Sequence, residues 1–151
     1  MVIRSATPAL AALALLAAGC GGGSGGAATP TAKVPPPAAA GASCAAVGLG
    51  RTPQHALPAD VPVPGGAKVF ESQGPYGRTY RYFAALAGGP ADYQRQRDDA
   101  TDVLVEAGYK LLGKDQEQNT EAESHLTGKH QVDIQVTSLC KGKNRIRYTV
   151  S

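Results

Sequence analysis

Glycine and proline crowd one end of this chain and aromatic residues the other. Of its 19 Gly and 11 Pro, 20 precede Ala67, while all eight Tyr and Phe residues follow Gly66. A segment without aromatics and rich in Gly and Pro cannot bury enough apolar surface to offset the entropy of ordering it. The first two-fifths of the 151 residues therefore supply no packed core, and the folded unit lies toward the C-terminus. A formal net charge of +3 is too small to argue for nucleic acid. No apolar run reaches the roughly 20 residues that a bilayer-spanning helix needs.

The N-terminus reads as an address. Arg4 supplies a positive charge, and residues 9–18 then run ALAALALLAA without a charge. A stretch of this length after a basic start matches a secretory signal rather than a membrane span. It ends in Ala17-Ala18-Gly19-Cys20, which resembles the lipobox of bacterial lipoproteins, although Ala17 stands where that family usually has Leu. The resemblance covers about twenty residues. It implies cleavage after a signal peptide over residues 1–19, a diacylglycerol thioether on Cys20 and acylation of the new amino group. Each buried methylene contributes about 0.8 kcal/mol, and two or more chains anchor stably. The implied location is the bacterial cell envelope, lipid-anchored to a membrane on its extracytoplasmic side. An ordinary secretory signal with an incidental Cys20 is the competing reading.

Residues 20–43 form a Gly/Ala/Pro tether behind that cysteine, broken only by Lys33 and Val34 and stiffened at Pro35-Pro36-Pro37. Its length predicts a reach of ~25 Å as a flexible coil. Gly21, Gly23 and Gly26 match the spacing of a dinucleotide fingerprint, but no strand precedes them and no helix follows, so no cofactor is implied. Residues 44–66 carry Pro53, Pro58, Pro62 and Pro64 and read as an extended arm lying on the domain.

Residues 67–151 have the grammar of a folded domain. Strands are expected over 68–73 and 78–86, with Gly74-Pro75-Tyr76-Gly77 as the turn. Gly88-Gly89-Pro90 opens a helix over 90–107, with Asp92 in its first turn and Tyr93, Ala100, Val103, Leu104 and Ala107 as its apolar stripe. Gly108 is placed for a left-handed cap. Strands follow over 109–114, 120–127, 130–139 and 144–150, the last two joined by Cys140-Lys141-Gly142-Lys143. The expected fold is α+β: one helix packed on a mostly antiparallel sheet, in the order strand, strand, helix, strands.

Lipidation of Cys20 leaves Cys44 and Cys140, which an exported protein is expected to pair. Cys140 shares the parity of Val132, Ile134 and Val136, so its sulfur is expected on their face of the sheet. A redox role for the pair lacks the usual C-x-x-C spacing.

Catalytic residues are not legible. No serine sits in a nucleophile elbow, and Asp98, Asp99 and Asp102 read as the solvated side of the helix. His125 and His130 are weak metal candidates with Asp133. A four-residue turn between them would set the imidazoles face to face, and a two-residue turn would set His125 against Val132. Solvated histidines at a hairpin end are the plainer reading, because metal sites show tighter ligand spacing.

Charge is segregated. Lys141, Lys143, Arg145 and Arg147 give +4 near the C-terminus, and Asp115, Glu117, Glu121 and Glu123 give −4 just before. Either these segments neutralise each other across the sheet, or the basic set contacts an anionic lipid headgroup or acidic envelope polymer. The sequence thus points to a membrane-anchored, extracytoplasmic module with a small non-enzymatic binding domain. Its partners would be the membrane through the N-terminal lipid and an envelope protein, polymer or headgroup, and not nucleic acid. The alternative is a small envelope enzyme or metal-binding protein using the His125/His130 region.

Overall fold

A computed structural model describes residues 42–151; the signal, Cys20 and the tether up to Gly41 lie outside the described residues. The sheet has six strands: β1 (Lys68–Tyr76), β2 (Thr79–Ala87), β3 (Lys110–Glu117), β4 (Glu121–Thr127), β5 (Gln131–Cys140) and β6 (Lys143–Val150). One helix, α1 (Tyr93–Glu106), stands between β2 and β3, preceded by a 3-10 turn at Pro90–Asp92. The architecture is α+β and mostly sheet.

Spatial order is β1-β2-β6-β5-β4-β3, and every neighbouring pair is antiparallel. The chain lays down β1 and β2, crosses through α1 to the far edge, and returns by three hairpins. The last strand closes the sheet by slotting between β5 and β2, in unbroken register from Tyr80↔Val150 to Ala87↔Lys143. Alternation makes this possible, because Asn144, Ile146, Tyr148 and Val150 are all buried on the side of α1.

The helix follows its expected boundaries closely, but its buried stripe is rotated. Tyr93, Gln96, Arg97, Ala100, Thr101 and Leu104 face the sheet, while Ala107 is exposed. The polar members are satisfied. Gln96 donates from Nε2 to the Ala87 carbonyl (2.8 Å), and the Thr101 and Ser124 hydroxyls share a 2.8 Å hydrogen bond. Arg97 donates to the carbonyls of Asp115 (3.0 Å) and Glu123 (3.3 Å), which ties α1 to β3 and β4. Gly108 takes φ +94°, and the Tyr109 amide donates back to the Leu104 carbonyl, closing the helix as a left-handed cap does. Leu104, Leu126, Ile134 and Ile146 are essentially inaccessible, each contributing about 1.5–3 kcal/mol by burial.

Three local expectations are corrected. β1 continues through Gly74 and Pro75 to Tyr76, and the turn is Gly77-Arg78; β1 is an edge strand with a register shift there, and an edge tolerates proline because no partner needs its missing N–H. The β4–β5 turn has three residues, Gly128, Lys129 and His130, closed by the Gly128 amide on the His130 carbonyl. A register shift between Ser138 and Cys140 turns the end of β5 over. Cys140 is buried, but with Phe70, Phe83 and Leu139 on the side away from α1, not with Val132, Ile134 and Val136.

That second cluster is where the arm begins. Cys44 is bonded to Cys140, their Cα atoms 5.2 Å apart, and Val47 and Leu49 pack on the cluster beside it. The arm then crosses to the helix side, where, against the expectation that the chain before Ala67 supplies no core, Val61 enters the main core with Leu57 and Val63 packed against it. Asp60 reaches the β4–β5 turn, 3.5 Å from His130 Nε2 and 3.6 Å from Lys129 Nζ, and accepts from the Tyr109 hydroxyl at 3.4 Å.

Candidate functional site

The helix, over β3 to β5, and the later part of the arm cover one face of the sheet, and the start of the arm covers the other near β1, β2 and the end of β5. Cross-strand register identifies what the rest of that second face carries. One row runs Phe83, Arg147, Gln135, Glu123, Asp115 across five strands. A parallel row runs Arg81, Thr149, Asp133, His125, Gly113. On the other side Arg145 stands between Ala85 and Thr137.

Three arginines therefore share adjacent strands of this face: Arg81 on β2, Arg145 and Arg147 on β6. All three are half-buried. Arg145 lies over the Phe83 ring, 5.5 Å from its centroid, and donates to the Thr137 hydroxyl at 3.3 Å. Arg81 lies over the Tyr76 ring at 5.1 Å. None of the three makes an ion pair with a carboxylate among the described residues. The Nε atoms of Arg145 and Arg147 are buried without a hydrogen-bond partner. Burial and then Arg147 push the Arg145 pKa down, against the pull of Glu71. Burial and then Arg81 lower that of Arg147, opposed by Glu123, Glu121 and Asp133. A guanidinium with a lowered pKa still carries its charge at neutral pH, so the strip holds three under-compensated cations. Lys143 shares the face; Lys141 sits exposed in the turn, its amide bonded to the Ala42 carbonyl.

The acidic residues do not neutralise this set by strand pairing. They occupy β3 and β4, and β5 separates them from β6. Asp115 pairs with Glu123 and Glu117 with Glu121, so like charges stand directly opposite. Gln135 donates through Nε2 to both Glu121 and Glu123, which eases the repulsion without removing charge. Burial, then Glu123 and Glu117, hold the Glu121 carboxyl above its usual range.

Neither sequence-derived register for the histidines holds. His125 opposes Asp133, with Nδ1 2.8 Å from Oδ1, on the exposed end of the open face. His130 is in the turn beside Asp60, so the two imidazoles do not meet. His55 lies against the Tyr80 ring, 5.2 Å between centroids. Cys44 and Cys140 are brought together; Cys20 lies outside the described residues.

Sequence reasoning missed Arg81, Gln135 and Asp60. Arg81 had a usable signal, since it alternates with Tyr80 and Tyr82. A depression of about 230 Å³ between residues 88–90 and the β5–β6 turn is smaller than the usual small-molecule pocket. Among the described residues no helix is long and apolar enough to cross a membrane. The chain matches no family model, no curated protein and no solved structure.

Proposed function

We propose that this chain is a lipid-anchored protein of the bacterial envelope whose domain is a non-enzymatic binding module, with Arg81, Arg145 and Arg147 as its contact surface for an anionic headgroup or acidic envelope polymer. The observation that carries the binding reading is the strip of three half-open guanidiniums without a carboxylate partner. Arginine is suited to this role because its planar fork matches phosphate and carboxylate oxygens. The anchor rests on Cys20 and the segment before it, and the tether would hold the domain near its own membrane at high effective concentration. Weak charge contacts, each about 1 kcal/mol per base near an anionic surface, then suffice.

A chain beginning at Ser43 tests the surface directly. Its binding to anionic vesicles, to zwitterionic vesicles and to an acidic wall polymer would be measured at low and physiological salt. The expected result is salt-sensitive binding to one anionic target, lost in an R81Q/R145Q/R147Q variant that melts as the parent does. Equal binding by both proteins, or none by the parent at low salt, overturns the reading. The alternative, an envelope enzyme or metal protein at His125 and His130, lacks an observation that favours it, since its premise was two imidazoles facing each other.

A further inference from the structure

We propose that the ligand of the arginine strip is a single linear polyanion lying along β6, a phosphodiester chain with three-carbon spacers, and not a membrane plane. This rests on the contact-surface reading above and chooses between its two targets by geometry.

The cations follow one line. Arg145 and Arg147 are two residues apart on β6, about 7 Å. Arg81 stands on β2 one row on, opposite Thr149, and so diagonal to Arg147 at about 7–8 Å. The Nε atoms of Arg145 and Arg147 are buried, so contact falls to the outer nitrogens of each fork. Those of Arg81 and Arg147, and Nη1 of Arg145, have no protein partner and are not buried. A chain that brings one anion to each arginine needs a repeat near 7 Å. Three bonds of an extended chain span about 3.8 Å, as between consecutive Cα atoms, so the six bonds from phosphorus to phosphorus across a three-carbon unit span about 7 Å.

Charge on the same face decides against a plane. From β2 to β3 it carries Arg81, Lys143, Arg145 and Arg147, but also Asp115, Glu117, Glu121, Glu123 and Asp133. On β1, Lys68 and Glu71 offset each other. A bilayer laid on this face meets all of these groups together, and the acids outnumber the bases. A thread along the strip meets only the arginines. Glu123 and Glu71 each stand two strands from Arg147. Glu121, which follows the Ala122↔Val136 pair, is two strands from Arg145, and the step to β2 leaves Asp133 two strands from Arg81. Two strands are about 10 Å, beyond the screening length of about 8 Å at physiological salt. Relief acts in the same direction. The start of the arm packs on Phe70, Phe83 and Ala85 and stands above the sheet beside the strip, where it holds a flat surface off half-buried guanidiniums.

The described residues hold all six strands, both cores and the bridge, so the chain beginning at Ser43 is the whole folded unit. Its binding is measured to labelled poly(glycerol phosphate), to polyglucuronate and to phosphatidylglycerol vesicles, which present the same glycerol phosphodiester in a plane. Binding to poly(glycerol phosphate) alone is expected. Going from about 50 to about 200 mM salt should weaken it roughly fifteenfold, since each contacted phosphate of a single strand contributes about −0.7 to the slope of log affinity on log salt. Each single Arg→Gln variant of the strip should bind about fivefold more weakly, and R81Q/R145Q/R147Q should not bind. Neutralising the acids in D115N/E117Q/E121Q/E123Q should create vesicle binding and change polymer binding by less than about threefold. Vesicle binding by the parent as tight as polymer binding, or tighter binding to polyglucuronate, overturns the proposal, and leaves the contact-surface reading standing if R81Q/R145Q/R147Q abolishes it. Polymer binding that survives in that variant, or no binding to any of the three at low salt, overturns both.

Discussion

Arg147 and Glu123 occupy the same row of the sheet with Gln135 between them, opposite charges held one strand too far apart to pair directly. The amide in the middle is committed to the acidic side, since Gln135 donates to Glu123 and Glu121. The face thus stays divided into a cationic and an anionic half.

That division predicts a pH dependence. Glu121 has its carboxyl raised by burial and by Glu123 and Glu117, against smaller pulls from Gln135 and Arg147. A carboxyl raised in the folded state binds protons more tightly there than in the unfolded chain, so stability falls as pH climbs above the ordinary carboxylate value and levels off past the raised one. Glu121→Gln should flatten the profile just above pH 4.5 and raise the neutral-pH melting temperature by no more than about 4 °C. Calorimetry from pH 3.5 to 7.5 on dilute protein checks this; a variant that loses stability at pH 7 refutes it.

Tyr148 is fully buried on the helix side, and its hydroxyl has no hydrogen-bond partner. An unsatisfied buried hydroxyl costs about 1–3 kcal/mol. Tyr148→Phe keeps the ring and removes that cost, so the midpoint of thermal unfolding should rise by several degrees. A fall would mean that the hydroxyl is bonded.

Arg97 holds two sheet carbonyls from inside the helix interface. Arg97→Ala leaves both carbonyls and Asp98 without that donor. Destabilisation of about 2–4 kcal/mol is expected in urea unfolding, with an unchanged slope. A loss under about 0.5 kcal/mol, typical of an ordinary surface site, would contradict the buried role.

The bridge closes a loop with a sequence separation of 96. On the chain-entropy argument a loop near that length contributes up to about 4.7 kcal/mol. Native protein should show no titratable thiol at Cys44 or Cys140, and reduction should lower the melting temperature by at least several degrees. Two reactive thiols in oxidised native protein would count against it.

For the anchor, Cys20→Ala should move the protein from the membrane fraction to soluble or uncleaved material, and the wild type should carry acyl mass on its N-terminal peptide. Unchanged fractionation, together with an unacylated wild type, removes the lipoprotein reading.

Much of the local structure was legible because period and punctuation are local signals. The helix announced itself through Pro90, its apolar repeat and Gly108, and β5 and β6 through alternation. What escaped depends on pairing at a distance. The hairpin to β5 was expected, but nothing in residues 143–150 says that their other neighbour is β2, and that fact keeps the acidic strands from pairing with the bases. Register escaped for the same reason. One residue in the β4–β5 turn decides whether His125 meets His130, Val132 or Asp133, and one bulge sends Cys140 to the opposite face. Polar groups in the helix stripe were invisible because most of their partners, the Ala87, Asp115 and Glu123 carbonyls and the Ser124 hydroxyl, come from strands distant in sequence. Arg81 was the avoidable omission, since strand parity already placed it with Phe83.

The Cys44–Cys140 bond makes a covalent ring of the five strands before the last turn, with β6 and the N-terminal segment as its two tails. A protease that cuts once inside the ring opens it without separating anything, so every strand stays covalently joined to the residues before Cys44. Only a cut outside the ring, or a cut inside it followed by reduction, divides the molecule. On a non-reducing gel a protein nicked inside the ring and an intact one would share a mass, and a cut there would divide the chain only once the bridge is also reduced.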